Sequence, residues 1–200
     1  MSYEEIKKIL KNHKDLLNLY DAIKSIHLKM RNYTKKKYNK VNPFVENLFD
    51  WREKGSLYNN QNITIYDSAS ITGDPIIGNN TWIGPYTSID ASGGLEIGSF
   101  CSISAGVRIL SHDSIDWALS SGREKYSYAP ISIGNNCFLG VNSVITRGTK
   151  IGDCCLVAAG AVVTKSFEKN SIIAGIPAKK IGNIIINDQG KIIYEYFSKD

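Results

Sequence analysis

The chain of 200 residues holds three histidines, and one of them stands where a proton acceptor would be of use. His13 and His27 fall in an apolar-periodic stretch that reads as a helix, where they are packing or surface residues. His112 lies in "ILSHDSIDWALSSGREKYSYAPISIG", residues 109–134, with Asp113 directly after it. An unperturbed imidazole has a pKa of about 6.5, so part of it is free base at neutral pH. Such a group takes the proton from a hydroxyl or amine as that nucleophile attacks. Its second nitrogen must be held by an acceptor to fix the tautomer. A main-chain carbonyl, Asp113 and Asp90 are the candidates for that acceptor.

The stretch around His112 interrupts a strict repeat. An aliphatic residue returns every six positions at Ile65, Ile71, Ile77, Ile83 and Ile89, slips by two across "ASGGLE", and resumes at Ile97, Ile103 and Ile109. After a gap of 24 residues it returns at Ile133, Leu139, Ile145, Ile151, Val157 and Val163. No helix has a period of six, so the repeat predicts a short strand and a turn, each strand stacked on its equivalent one coil away. Two residues before the beats stand Ala69, Pro75, Thr81, Thr87, Leu95, Cys101, Val107, Ile131, Cys137, Ser143, Thr149, Cys155 and Ala161. Most are small or β-branched, and alternation points them to the same side as the beat. Cys101, Cys137 and Cys155 are therefore expected in an interior column. Neither a metal site nor a disulfide is expected, since no CxxC occurs and the adjacent Cys154 and Cys155 have poor geometry for a bridge. Glycines follow the beat at Gly78, Gly84, Gly98, Gly134, Gly140 and Gly152, and Asn-Asn pairs occupy "GNNT" and "GNNC". Both are expected to serve left-handed backbone at tight corners.

The flanks follow other rules. Ile6, Leu10, Leu17, Tyr20, Ile23, His27 and Met30 predict an amphipathic helix from Tyr3 to about Tyr33, interrupted before Pro43. "FVENLFDWREKG" predicts a short second helix ending at Gly55, and "IIINDQGKIIYEYF" a hairpin or two short strands. The expected divisions are a helical region at 1–60, the repeat at 61–184 with a loop at 111–130, and a C-terminal β extension at 185–200. With 42% hydrophobic and 22% charged residues the composition is that of a soluble globular protein. No apolar run nears the roughly 18–20 residues of a membrane span and no signal-peptide core precedes the helix, so a cytoplasmic protein with no integral membrane segment is expected. The net charge of +5 is concentrated in "KMRNYTKKKYNK", residues 29–40. Without an aromatic platform or recognition motif this run reads as a solvated helix end, not a nucleic-acid site.

Taken together, "IGNNTWIG", "IGSFCSIS", "IGNNCFLGVNSVITRGTKIGD" and "AAGAVVTKS…IIAGIPAKKIG", spread over residues 62–183, resemble the hexapeptide-repeat acyltransferases. The histidine-led break and its return through "YSYAPISIG" resemble the galactoside and maltose acetyltransferases, and "HDSIDWALSSG" resembles acyltransferases of surface-polysaccharide synthesis. The resemblance implies a mainly β fold, a left-handed parallel β-helix with three hexads per coil, so the beats above make between four and five coils. It implies a homotrimer that moves acetyl from acetyl-CoA to a sugar, with His112 as general base, no acyl-enzyme and no metal. Catalytic residues are then His112 and Asp113. An oxyanion donor falls at Gly140 or Val141, and acetyl-CoA, in a groove between subunits, would meet Ala159, Thr164, Lys165 and Lys179. The family's further arginine aligns with Gly182, so Lys180 must stand in for it. Acceptor contacts would come from Tyr86, Asp90, Asp116, Trp117, Arg123 and Tyr126. O-acetylation of a saccharide is favoured, with N-acetylation of a nucleotide-linked amino sugar as the alternative and a non-catalytic scaffold trimer as the remaining rival. The N-terminal region serves either acceptor binding or trimer packing.

Overall fold

A computed structural model describes residues 2–47, 50–58 and 61–198. They divide into two compact units, Met1–Asp50 and Trp51–Asp200. The first unit carries two helices, α1 (Tyr3–Ile9) and α2 (Lys14–Tyr38), followed by a 3-10 turn at Val45–Asn47. The single helix expected from Tyr3 to Tyr33 is thus broken at residues 10–13 and runs further, to a left-handed cap at Asn39 (φ 51°). α1 is fixed by a reciprocal cap, in which the Ser2 hydroxyl accepts the Glu5 N–H and the Glu5 carboxylate accepts the Ser2 N–H. One face of α2 is closed by its neighbours: Tyr20 stacks on Tyr3 at 6.0 Å and His27 meets the Phe44 ring edge-on at 5.1 Å. "FVENLFDWREKG" forms the 3-10 turn and the short α3 (Trp51–Gly55), while its residues 48 and 49 lie outside the described residues. Among the described residues no helix is long and apolar enough to cross a membrane.

The second unit is a parallel β-helix with three faces. The first coil is β1 (Thr64–Ile65), β2 (Ser70–Thr72) and β3 (Ile76–Ile77); the second is β4 (Trp82–Ile83), β5 (Ser88–Asp90) and β6 (Leu95–Ile97). The third begins with β7 (Ser102–Ile103) and β8 (Arg108–Leu110), leaves the helix through β9 (His112–Asp113), α4 (Ile115–Leu119) and β10 (Ser127–Tyr128), and closes with β11 (Ile131–Ile133). β12 (Phe138–Leu139), β13 (Val144–Thr146) and β14 (Lys150–Ile151) form the fourth, and β15 (Leu156–Val157) with β16 (Val162–Val163) opens the fifth. Strands stack in register: Ile65 on Ile83 on Ile103 on Leu139 on Val157 down the first face, and Ile89 on Ile109 on Ile145 on Val163 down the second. Every beat residue is buried except Ile71, which is half-exposed in the first coil. The small-residue column is buried throughout, with Cys101, Cys137 and Cys155 at 1–2% exposure. Their thiols donate to the Gly134, Gly152 and Glu168 carbonyls at 3.1–3.2 Å, so they satisfy corner carbonyls that would otherwise be orphaned.

Three expectations need correction. The helix makes five coils, because Phe167 bridges to Ile151 as a fifteenth position four residues after Val163, out of step with the six-beat. β17 (Ser171–Gly175) then starts another turn on the first face. The glycines after each beat are not the left-handed positions. A Cβ on Gly98 would meet the Gly134 carbonyl carbon at 2.6 Å, and one on Gly140 the Ala159 nitrogen at 2.5 Å, so they are glycine because coils stack against them. The left-handed residues come two positions later, at Asn80, Tyr86, Phe100, Asn136, Asn142 and Cys154 (φ 55–59°). Finally, the excursion is not an irregular loop. β9 and β10 pair antiparallel, Tyr128 opposite His112 and Ser127 opposite Asp113, with α4 between them. At the C-terminus β18 (Ala178–Ile186) folds back on β17 and pairs with β19 (Ile192–Tyr196) in a hairpin.

Candidate active site

His112 leaves the helix at the corner between the second and third faces, two residues past Leu110, the register partner of Asp90. That pairing sets Asp90 one coil beneath the imidazole. Asp90 Oδ2 lies 2.6 Å from His112 Nδ1 and also accepts the His112 N–H (3.1 Å) and the Ser111 hydroxyl (3.0 Å). Asp90 Oδ1 accepts the Ser92 N–H (3.1 Å) and the Ser92 hydroxyl (2.6 Å), whose oxygen also sits 3.1 Å from His112 Nδ1. Burial by itself pushes the Asp90 carboxyl up. The donors from Ser92, His112 and Ser111 outweigh it and hold the group well below the usual carboxylate range. An ionised carboxylate only accepts, so Nδ1 carries a proton, and in the neutral imidazole Nε2 holds the lone pair. Nε2 makes no hydrogen bond among the described residues, and the imidazole is 36% exposed against 9% for the Asp90 side chain.

The acceptor on the imidazole is therefore Asp90, neither a main-chain carbonyl nor Asp113. Asp113 pairs instead with Arg147 Nε, one coil further on, and its second oxygen accepts the Ile115 N–H (3.2 Å) at the start of α4. The Arg147 guanidinium holds the Asp113 carboxyl below its ordinary value. The pair ties β9 to the corner of the following coil, on the side away from Asp90. Asp90, expected among the acceptor contacts, is turned inward and holds the imidazole.

The rest of the excursion builds an aromatic wall over the histidine. Tyr126 lies parallel to the imidazole at 6.1 Å and 3°, Tyr128 at 5.4 Å and 26°, and Trp117 meets Tyr126 edge-on at 5.8 Å. Trp117 and Tyr126 remain 44% and 42% exposed, so they offer apolar faces beside the imidazole. Asp116 and Arg123 instead hold the excursion together: Asp116 accepts the Ser127 hydroxyl (3.3 Å) and Arg123 Nε donates to the Ser120 carbonyl (2.9 Å). Tyr86 stands elsewhere, on the corner between the first and second faces, left-handed and 59% exposed.

Thr164 and Lys165 follow β16 at the same corner as His112, two coils on, and both are exposed. Lys179 and Lys180 are exposed on β18, opposite Ala174 and Ile173. The Gly140 N–H is already donated to the Val157 carbonyl (2.8 Å), which leaves Val141 of that pair as the candidate oxyanion donor. Val141 and the exposed Ala159 lie on the corner between the first and second faces. By register His112 is level with Gly148, seven residues and one whole face of the coil from Val141. One chain does not bring these groups together. Among the described residues no group of three or more His, Cys, Asp or Glu could hold a metal ion.

Ser92, Ser111, Tyr128 and Arg147 escaped the sequence reading. The signal for the first two was the two-residue slip of the beat at "ASGGLE". Those extra residues bulge at the corner below His112, where the Gly93 N–H donates to the Ser111 hydroxyl (2.8 Å). A Cβ on Gly93 would meet the Ser111 carbonyl oxygen at 2.4 Å, so no other residue fits there without a shift.

Fold and repeat together define a hexapeptide-repeat β-helix. The family described as the hexapeptide repeat of succinyl-transferase matches residues 130–165. Galactoside O-acetyltransferase of Escherichia coli (strain K12) is 32% identical over 145 residues, 72% of this chain and 57% of that protein. Protein CapG of Staphylococcus aureus is 44% identical over 94 residues, 45% of this chain and 53% of that protein. The chain thus spans about half the length of these curated relatives. A solved galactoside acetyltransferase in complex with coenzyme A matches with a TM-score of 0.58 at 24% identity, covering 89% of this chain and 88% of that one. The chain carries the hexapeptide-repeat acetyltransferase fold.

Proposed function

We propose that the protein is an acetyl-CoA-dependent acetyltransferase that acetylates a sugar hydroxyl, acting as a homotrimer in the cytoplasm on material for a surface polysaccharide. The observation that carries this reading is the Asp90–His112 pair, which commits Nδ1 to a buried carboxylate and leaves Nε2 as the lone-pair nitrogen on the exposed side. Nε2 takes the acceptor's hydroxyl proton as the oxygen attacks the thioester carbonyl. The imidazolium so formed is stabilised by the ionised Asp90 beneath it. A tetrahedral oxyanion results, for which the Val141 N–H of a neighbouring subunit is the candidate donor. Collapse breaks the C–S bond, and Nε2 returns its proton to the thiolate. No acyl-enzyme is needed, and Cys101, Cys137 and Cys155 are buried away from any substrate. Exposed Lys165, Lys179 and Lys180 fit a donor rich in phosphate, and the faces of Trp117 and Tyr126 fit the apolar side of a sugar ring.

The test is a screen of saccharide and nucleotide-linked amino-sugar acceptors, following free thiol release from acetyl-CoA. With the best acceptor saturating, His112→Ala is expected to lower kcat by about 10²–10⁴-fold while the protein stays folded. A loss below about tenfold would remove the base from the mechanism for hydroxyl transfer. It would favour the amine acceptor, whose nucleophile, with a pKa of about 8, needs little assistance. No thiol release above the uncatalysed rate with any acceptor would favour the scaffold rival.

A further inference from the structure

α2 is a helix of 25 residues with no buried residue. In proteins, most helix stability comes from tertiary packing of an apolar face, so an unburied helix of this length is incomplete by itself. Its two apolar stripes differ in what covers them. Leu17, Tyr20, Lys24, His27, Arg31 and Thr34 are half-buried, on the side where Tyr3 stacks on Tyr20 and Phe44 meets His27. One residue away, Leu16, Leu19, Ile23, Ile26, Met30 and Tyr33 follow one another at spacings of three, four, three, four and three. That is the a/d pattern of a coiled coil. Leu16, Leu19, Ile23, Ile26 and Tyr33 are 42–57% exposed, and Met30 is half-buried.

We propose that this seam is a self-association surface, on which copies of α2 pack in parallel with one another; the copy number of three rests on the trimer proposed above. Three observations choose a second copy over any other occupant. An a/d seam is self-complementary, because its knobs fit the holes of a like helix. Isoleucine at both a (Ile23) and d (Ile26) of the central layer favours assemblies above the dimer. Equivalent helices around a three-fold axis are necessarily parallel. In that arrangement the flanking pairs are Asp15 with Tyr20, Ala22 with His27 and Lys29 with Thr34, so no like charges face each other. The exposed parts of these side chains amount to roughly 400–500 Å² per helix, so each neighbouring pair in a trimer removes on the order of 400–500 Å² in all; that is below a specific interface by itself, and the seam adds to the contacts of the trimer proposed above.

Two measurements on the full-length chain test this. In a Cys154→Ser background, which leaves only buried native thiols, Ile23→Cys and Leu28→Cys are oxidised separately. Ile23→Cys is expected to give intermolecular disulfides, because an a position meets its own copy; Leu28→Cys, on the opposite side, is not. Cross-linking at neither position, or equally at both, overturns the seam. Sedimentation of Ile23→Asp/Ile26→Asp is expected to show self-dissociation at least about 10²-fold easier than wild type, with the β-sheet circular dichroism unchanged. A double variant that keeps wild-type mass and affinity means the trimer is held elsewhere: the seam fails and the trimer reading stands. A wild type that sediments as a monomer at micromolar concentration sinks both.

Discussion

At the scale of single residues, the site is decided by how many donors converge on Asp90. Both oxygens are saturated: the Ser92 N–H and hydroxyl on one, the Ser111 hydroxyl and two His112 nitrogens on the other. In Asp90→Asn, an NH₂ must replace one oxygen and face donors on either side. Turned toward Nδ1, it would also force the proton onto Nε2 and abolish the base. We expect kcat to fall by about 10²–10⁴-fold, as for a base in the wrong tautomer. Asp113→Asn, which loosens only the Arg147 tie, should cost less than about tenfold. Equal losses in the two variants, measured on folded protein, would return the orienting role to Asp113. The same carboxyl also sets a pH dependence of stability. Its folded pKa is depressed, so the native state resists protonation relative to the unfolded chain. Its contribution is present above the ordinary value of 3.8 and is lost as pH falls below it toward the depressed value. Denaturant midpoints taken through that acid window should therefore fall more steeply for wild type than for Asp90→Asn. Parallel curves would mean that Asp90 is not held as described.

At the scale of elements, most hexads turn through one left-handed residue, and the chain fills that position unevenly. Asn80, Asn136 and Asn142 suit it, whereas Phe100 holds φ 57° with 62% of its surface exposed. A bulky side chain in this region costs about 1 kcal/mol and here gains little packing in return. Phe100→Asn should therefore raise stability by about 0.5–1 kcal/mol, seen as a higher denaturant midpoint at constant slope. A lower midpoint would show that the ring makes a contact worth more than the backbone strain. The corner also explains what the sequence made legible. The beat and its companion column are consequences of period-two alternation inside each strand, and local spacing reveals them directly. The site depends on register between coils: Asp90 and His112 are 22 residues apart, and Asp113 and Arg147 are 34 apart. A slip of two at residues 91–94 and an excursion of uncertain length separate such partners, so counting by six loses them. A step shortened by two, from Val163 to Phe167, hid the last position of the fifth coil. The break between α1 and α2 was hidden for the opposite reason. Apolar spacing continues across residues 10–13, and periodicity does not register where the backbone stops being helical.

At the scale of the molecule, the groups proposed for one reaction sit on different corners of the chain. His112 occupies the corner between the second and third faces, Val141 and Ala159 the corner between the first and second. In a cyclic trimer with head-to-tail contacts, one subunit's first kind of corner can meet its neighbour's second kind, and three composite sites follow. Mixing two inactive variants tests this. His112→Ala removes the base. Ala159→Trp blocks the donor side without disturbing the core, since Ala159 is exposed and nothing lies within 4 Å of a Cβ on neighbouring Gly160. Each variant alone should be inactive. If the two are unfolded together and refolded as an equal mixture, a site is intact only where an Ala159→Trp subunit supplies His112 and a His112→Ala subunit supplies position 159. Random assembly puts that arrangement at about a quarter of the interfaces, so about a quarter of the wild-type rate should return. A site built within one chain predicts no recovery at any mixing ratio, because every subunit then carries its own defect. Recovery that peaks at equal proportions and vanishes with either variant in large excess would locate the base and the donor groove on neighbouring subunits. It would also account for why a single copy holds His112 and Val141 so far apart.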